Sequence, residues 1–242
     1  MRETPPIEPK LKAAIDAAIA NEHLVRIRAY AVISATEAGL SYIVEQVLAK
    51  YGRNDMVGPV YTSVKELSLN GAKANFKRIL FEDENINGED EAEYDRGMDL
   101  FKEQLNEQWV LEYGKKSKER RLYVDIFFDF NRERLIVEVL NNRPISPKED
   151  KRIREKFHTA MRYDDIAQFY MEGGDSSEGA GMGIVLVTMM LKAQDIDPHL
   201  FTIRSDYREK TLARVEFPLS ADYQPQRQRF ITESNAELVL SV

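Results

Sequence analysis

Glu66, Asn70 and Lys73 lie at i, i+4 and i+7. On an α-helix those positions share one face. A carboxylate, a carboxamide and an ammonium in one line suit a site for phosphate and a divalent metal. The Asn70 amide oxygen can ligate Mg²⁺, which prefers hard oxygen donors. The Lys73 ammonium can offset phosphate charge, and the Glu66 carboxylate can orient or deprotonate a nucleophile. Val60, Val64 and Leu67 mark a partly different, apolar face. A solvated polar helix face has the same pattern, so these three residues alone do not decide between the two.

Two further stretches carry chemistry. Gly179, Gly181 and Gly183 alternate directly before the apolar run from Met182 to Ala193. Such glycines let a backbone approach a ligand, and free N–H groups at a helix start favour anions. No Gly-Lys-Ser/Thr follows, so this is not a Walker loop. A charged segment rather than a strand precedes it, which speaks against a dinucleotide fingerprint. Asn141 and Asn142 follow a strand-like run and lead into Arg143-Pro144-Ile145. A carboxamide at a strand end can read an amine and a ring nitrogen together. An Asn-rich turn is the plain alternative.

The elements that must position these residues come from periodicity. Leu11, Ile15, Ala18, Val25, Ala29, Val32, Ile43 and Val47 recur at helical steps, which predicts one or two helices over 9–51. A second helix starts near Asp55–Pro59 and runs to about residue 82. An acidic loop, Glu82–Glu91, follows. Tyr94, Met98, Phe101, Leu105 and Trp109 predict another amphipathic helix, and Lys115–Arg121 a polar turn. Leu122–Phe130 and Leu135–Leu140 read as a hairpin closed at Asn131–Arg134, with Phe127, Phe128 and Phe130 in core and hairpin positions. Residues 148–172 form a charged helix, Gly173–Gly179 a connector, and Met182–Ala193 an apolar helix. Leu200–Ser205 and Leu212–Phe217 alternate as a second hairpin, and the chain from Ala221 onward reads as a loose tail. The expected fold is an α/β (α+β) two-layer sandwich, with a mixed, mostly antiparallel sheet covered on one face by helices. Three parts follow: an N-terminal helical segment over 1–54 for dimerisation or docking, a body over 55–220 and a C-terminal tail over 221–242.

Composition narrows the function. The 242 residues carry 34 basic and 41 acidic side chains, a net charge of -7, which argues against non-specific nucleic-acid binding. Lys115–Arg121 and Lys148–Lys156 are basic but interleaved with acids, and read as solvated faces. Cys is absent, which excludes a disulfide frame and thiolate chemistry. No apolar run approaches the ~20 residues that cross a bilayer, and the polar start at Met1 is unlike a signal peptide. The expectation is a cytoplasmic protein with no membrane and no nucleic-acid partner.

Taken together, the three stretches resemble the histidine-kinase-like ATPase superfamily, which includes sensor kinases and type II topoisomerase ATPase domains. Glu-Leu-x-x-Asn-x-x-Lys/Asp-Ala is met in full by Glu66 through Ala74. Gly-x-Gly-x-Gly-Leu is met by Gly179 through Ile184, with Ile in the final place. A Thr near the terminal hairpin is matched by Thr211. The order and spacing over about 55–220 look like the sensor-kinase branch. The family's Asp-x-Gly-x-Gly differs here: Asn141 replaces the Asp, and both glycines are missing. The resemblance implies ATP and Mg²⁺ as ligands. Glu66 would act as catalytic base, Asn70 would hold the metal, and Lys73 would sit near phosphate. Asn141 and Asn142 would lie at the base, with Gly179, Gly181, Gly183 and Thr211 completing the nucleotide site. It implies a signalling protein with kinase or ATPase chemistry, a protein partner and a homodimer. The alternative is a degenerate module of the same type that dimerises through its N-terminal helices and docks a partner.

A phospho-acceptor is the remaining question. His23, His158 and His199 are the three histidines. His23 falls on the expected N-terminal helix, but no acidic residue follows it directly, as an acceptor box would have. A surface or interface histidine fits as well. No HxxxH pair and no Cys is present to hold zinc.

Overall fold

A computed structural model describes residues 7–163, 166–171 and 182–228. Helix α1 (Pro9–Ala20) opens on a proline in its first turn, where the missing N–H is no loss. It stops where Glu22 adopts a left-handed φ of 55°. The helix expected over 9–51 does not continue. Val25–Ala29 instead forms strand β1, and a new helix, α2, spans Ser34–Lys50. Val25, Ile27 and Ala29 face the core, while Arg26 and Arg28 are exposed. His23 consequently lies in the turn between α1 and β1 and not on a helix.

A single 3₁₀ turn (Asn54–Met56) leads into α3, Val57–Asp83, the longest helix among the described residues. The amphipathic stretch after it is two helices, not one. Helix α4 (Glu91–Gln104) is capped by Asp90, and α5 (Glu107–Glu119) by Asn106, whose side chain accepts from Trp109 N at 3.0 Å. That cap restarts the helix between Leu105 and Trp109. Lys115–Glu119, expected in a turn, is the end of α5.

Both hairpins form as expected. Strands β2 (Val124–Phe130) and β3 (Arg134–Asn141) pair, as do β4 (Phe201–Ser205) and β5 (Thr211–Pro218). The sheet has five strands in the order β1-β2-β3-β5-β4, every pair antiparallel. Between the hairpins lie α6 (Pro147–Arg162), α7 (Ile166–Met171) and α8 (Met182–Lys192). Helix α6 starts on a Ser146/Glu149 capping box.

One sheet face makes the main core. Ile126, Phe128, Leu135, Val137, Val215 and Phe217 project from it onto Val60 and Val64 of α3, Ile43 and Val47 of α2, and Val187 of α8. Burying each such side chain contributes about 1.5–3 kcal/mol. Ile15 and Ile19 of α1 belong to the same core, so residues 9–50 are built into the body through both their helices and their strand. A second core under α4 and α5 joins Phe76, Ile79 and Leu80 to Phe101, Trp109 and Tyr113. The opposite sheet face is charged: Asp125 pairs with Arg28, Asp129 with Arg134 and Glu216 with Arg214. Part of the segment expected to be loose crosses that face. There Gln226 donates from its backbone N–H to Glu216 at 3.2 Å and accepts from Arg214 at 2.8 Å. Among the described residues no helix is long and apolar enough to cross a membrane.

Candidate nucleotide site

The middle of α3 is held close to the sheet by two local devices. Gly71 has no side chain, and a Cβ there would stand 3.0 Å from a Val124 methyl of β2. Asn141, the last residue of β3, donates from Nδ2 to the Gly71 carbonyl at 2.9 Å. The polar side of this helix turn therefore sits at the end of β3.

Glu66, Asn70 and Lys73 are all half-buried on α3. Among the described residues, none of their side chains makes a hydrogen bond or ion pair. Half-buried and without protein partners, the three groups are open to water or to a ligand. Gly183, in the first turn of α8, is packed directly on two of them. A Cβ built on Gly183 would lie 2.5 Å from Asn70 Nδ2 and 3.1 Å from Glu66 Oε2. The glycine-bearing segment and the α3 face thus meet at Gly183. Gly179 and Gly181 lie outside the described residues.

The other expected residues sit at the same sheet end but are engaged with the main chain. Asn141 Oδ1 accepts from Arg143 N at 3.0 Å, in addition to the bond to Gly71. Asn142 accepts from Tyr123 N and donates to the Arg121 carbonyl, both at 2.8 Å, and so ties the start of β2 to the end of β3. Thr211 faces Asn141 across the β3–β5 register and donates to the Arg143 carbonyl at 2.9 Å. These bonds shape the turn Asn141–Ser146.

Arg78, which no sequence motif singles out, donates to the Pro144 carbonyl at 2.9 Å and braces that turn from α3. Burial, with the like charge of Arg143, lowers Arg78 below the ordinary guanidinium value. Lys77, one turn beyond Lys73, pairs with Glu149 of the α6 capping box. Their spacing from Asn70 on α3 is the available signal: Lys73, Lys77 and Arg78 recur along one helix. The histidines are elsewhere. His199 is exposed beside Asp197, with Nδ1 at 2.8 Å from its carboxylate, and His158 is exposed on α6. Among the described residues no group of three or more His, Asp or Glu side chains could hold a metal ion. The oxygens suited to Mg²⁺ on this face are those of the Asn70 amide and the Glu66 carboxylate. Mg²⁺ commonly keeps several waters and takes phosphate oxygens beside one or two protein ligands, so a single amide is compatible with it.

No family model matches the chain, and no solved structure matches it. A Treponema pallidum (strain Nichols) protein, described as uncharacterized, is 28% identical over 202 residues, covering 84% of this chain. The chain spans 39% of that relative's length.

Proposed function

We propose that this chain binds ATP with Mg²⁺ as a cytoplasmic signalling protein of the histidine-kinase-like type, on a two-layer fold of that type. The observation that carries the reading is the close packing of Gly183 against Asn70 and Glu66, whose side chains make no hydrogen bond among the described residues. It brings the first and last of the three sequence stretches together, and the bond from Asn141 to Gly71 adds the second. In this reading Asn70 supplies an amide oxygen to the metal and Lys73 neutralises phosphate charge. Glu66 orients or deprotonates the nucleophile, and Thr211 with the Asn141 turn flanks the base. Bound Mg²⁺ would offset the triphosphate charge. Phosphoryl transfer rests mostly on positioning and charge neutralisation, which this polar helix face supplies.

A second reading has its own support. The amides of Asn141 and Asn142 are already bonded to main chain, and the signature glycines that would open this turn are absent. A degenerate module that docks a signalling partner, or dimerises through the segment 1–54, fits those facts. Thermal stability with Mg-ATP separates the two. Ligand at one hundred times its dissociation constant adds about 2.7 kcal/mol. The first reading expects that gain in wild type and its loss in Asn70→Ala. No shift with any nucleotide leaves the docking module. A shift that survives Asn70→Ala removes the metal assignment.

A further inference from the structure

The two ends of the candidate site differ in how their polar groups are spent. At one end Glu66, Asn70 and Lys73 are half-buried on α3, and none of their side chains makes a hydrogen bond or ion pair among the described residues. At the other end, where β3 and β5 meet the start of α6, the polar side chains are bonded to protein. Asn141 is 8% exposed. Its Nδ2 donates to the Gly71 carbonyl at 2.9 Å and its Oδ1 accepts from Arg143 N at 3.0 Å. Asn142 accepts from Tyr123 N and donates to the Arg121 carbonyl. Thr211 donates to the Arg143 carbonyl. Ser205, opposite Thr211 in the β4–β5 register, donates to the Lys210 carbonyl at 2.9 Å and accepts from Tyr207 N at 3.1 Å. Ser146 Oγ accepts from Glu149 N at 3.2 Å in the α6 capping box.

That asymmetry bears on selectivity, which is a difference in affinity between the right ligand and the wrong one. A site rejects the wrong ligand strongly when its own polar groups are left unpaired, and the ratio then reaches about 10⁴–10⁵. Here a change of base leaves no such group without a partner. Asn141, Asn142, Ser146, Ser205 and Thr211 keep their protein bonds whichever ring lies against them, and a group that already has one partner loses less when a base adds none. Arg143 is exposed, with no side-chain bond among the described residues, so water satisfies it where a base does not. Turning the Asn141 amide toward a base would release the Gly71 carbonyl and Arg143 N, which offsets the bond gained. Phosphate and metal, by contrast, meet groups on α3 that no protein atom satisfies. We infer, on the reading of this face as a Mg-nucleotide site, that recognition lies in the Mg-triphosphate and that the site takes purine and pyrimidine nucleoside triphosphates alike.

The test is titration calorimetry of the full chain with ATP, GTP, CTP and UTP, each with excess Mg²⁺. The four dissociation constants should fall within about tenfold of one another, or about 1.4 kcal/mol. Mg-tripolyphosphate should displace bound ATP. Asn70→Ala should weaken all four nucleotides by a common factor. Thr211→Val removes the hydroxyl and keeps the branched shape. It should leave the ratio of ATP to GTP affinity within about threefold, whatever it does to the melting temperature, because Thr211 holds the turn and not the base. A preference for one base beyond tenfold, failure of tripolyphosphate to displace ATP, or a larger change of that ratio in Thr211→Val each overturns the inference and leaves the nucleotide site standing. Absence of binding by all four nucleotides removes the site itself and the inference with it.

Discussion

Replacing Gly183 by Ala separates folding from ligand binding. Gly183 has an ordinary helical backbone, with no left-handed φ, so Ala is sterically acceptable to its own main chain. Within a helix Ala is favoured over Gly by about 1 kcal/mol. Against this, the new methyl would sit 2.5 Å from Asn70 Nδ2 and 3.1 Å from Glu66 Oε2, too close for both to stay. Asn70 Nδ2 is the free end of a side chain and can rotate away, at about 0.5–1.5 kcal/mol for an off-rotamer shift. The two terms nearly cancel, so the unliganded melting temperature should move by no more than about 2 °C. Ligand binding is a different matter, because the rotated amide no longer presents its oxygen to the metal. A hundredfold loss of affinity lowers the stabilisation at a fixed Mg-ATP concentration from about 2.7 to about 0.4 kcal/mol. Differential scanning fluorimetry, with and without Mg-ATP, reads both numbers from one preparation. A variant that melts like wild type and keeps the full ligand shift would refute the role given to Asn70. A loss above about 3 kcal/mol without ligand would show that Asn70 is locked in place as a structural group.

Gly97→Ala is the structural counterpart: its Cβ would stand 2.6 Å and 2.7 Å from two carbons of the rigid Phe81 ring, which also makes an edge contact with Tyr94, and 3.1 Å from Ile86. Chemical denaturation should show a loss of about 1–3 kcal/mol, and an unchanged midpoint would mean that α4 shifts freely. Asn142→Ala removes the two side-chain bonds that fasten the start of β2 to the end of β3 and should cost about 1–3 kcal/mol in the same assay. Its Mg-ATP affinity should stay within a few-fold of wild type, whereas a large selective loss of affinity would make Asn142 a ligand contact. The backbone N–H groups of Lys210, Glu209 and Arg208 hold the Asp206 carboxyl down to about 2, below its ordinary value of about 3.9. Its contribution to stability is therefore complete above the ordinary value and is lost as pH falls through about 2. An NMR titration should place the Asp206 midpoint near 2, and a midpoint near 4 would show that the turn after β4 is not formed in solution.

Helix α3, both hairpins and α8 are legible in the sequence, because their apolar spacing is long and regular and Gly and Pro punctuate their ends. Strand β1 is not, because Val25 and Ala29 are four apart, a separation that both a helical stripe and a strand face satisfy. The deciding residues are Arg26, Ile27 and Arg28, whose polar–apolar–polar alternation belongs to a strand. The break between α4 and α5 is hidden for a similar reason: the apolar spacing runs unbroken from Phe101 through Leu105 to Trp109, and only the Asn106 cap interrupts it. At the site, residue types and helical spacing locate Glu66, Asn70 and Lys73 on one face. They do not show that Asn141, Asn142 and Thr211 spend hydrogen bonds on the turn between β3 and α6, because that depends on the paths of Arg121, Tyr123 and Arg143.

The most direct measurement is isothermal titration of the purified chain with ATP, once with Mg²⁺ and once with EDTA, in wild type and in Asn70→Ala. The account predicts saturable one-to-one binding in wild type that depends on Mg²⁺. In the folded Asn70→Ala variant it predicts affinity at least about tenfold weaker, or about 1.4 kcal/mol. Absence of binding in wild type, or equal Mg²⁺-dependent binding in the variant, would contradict it.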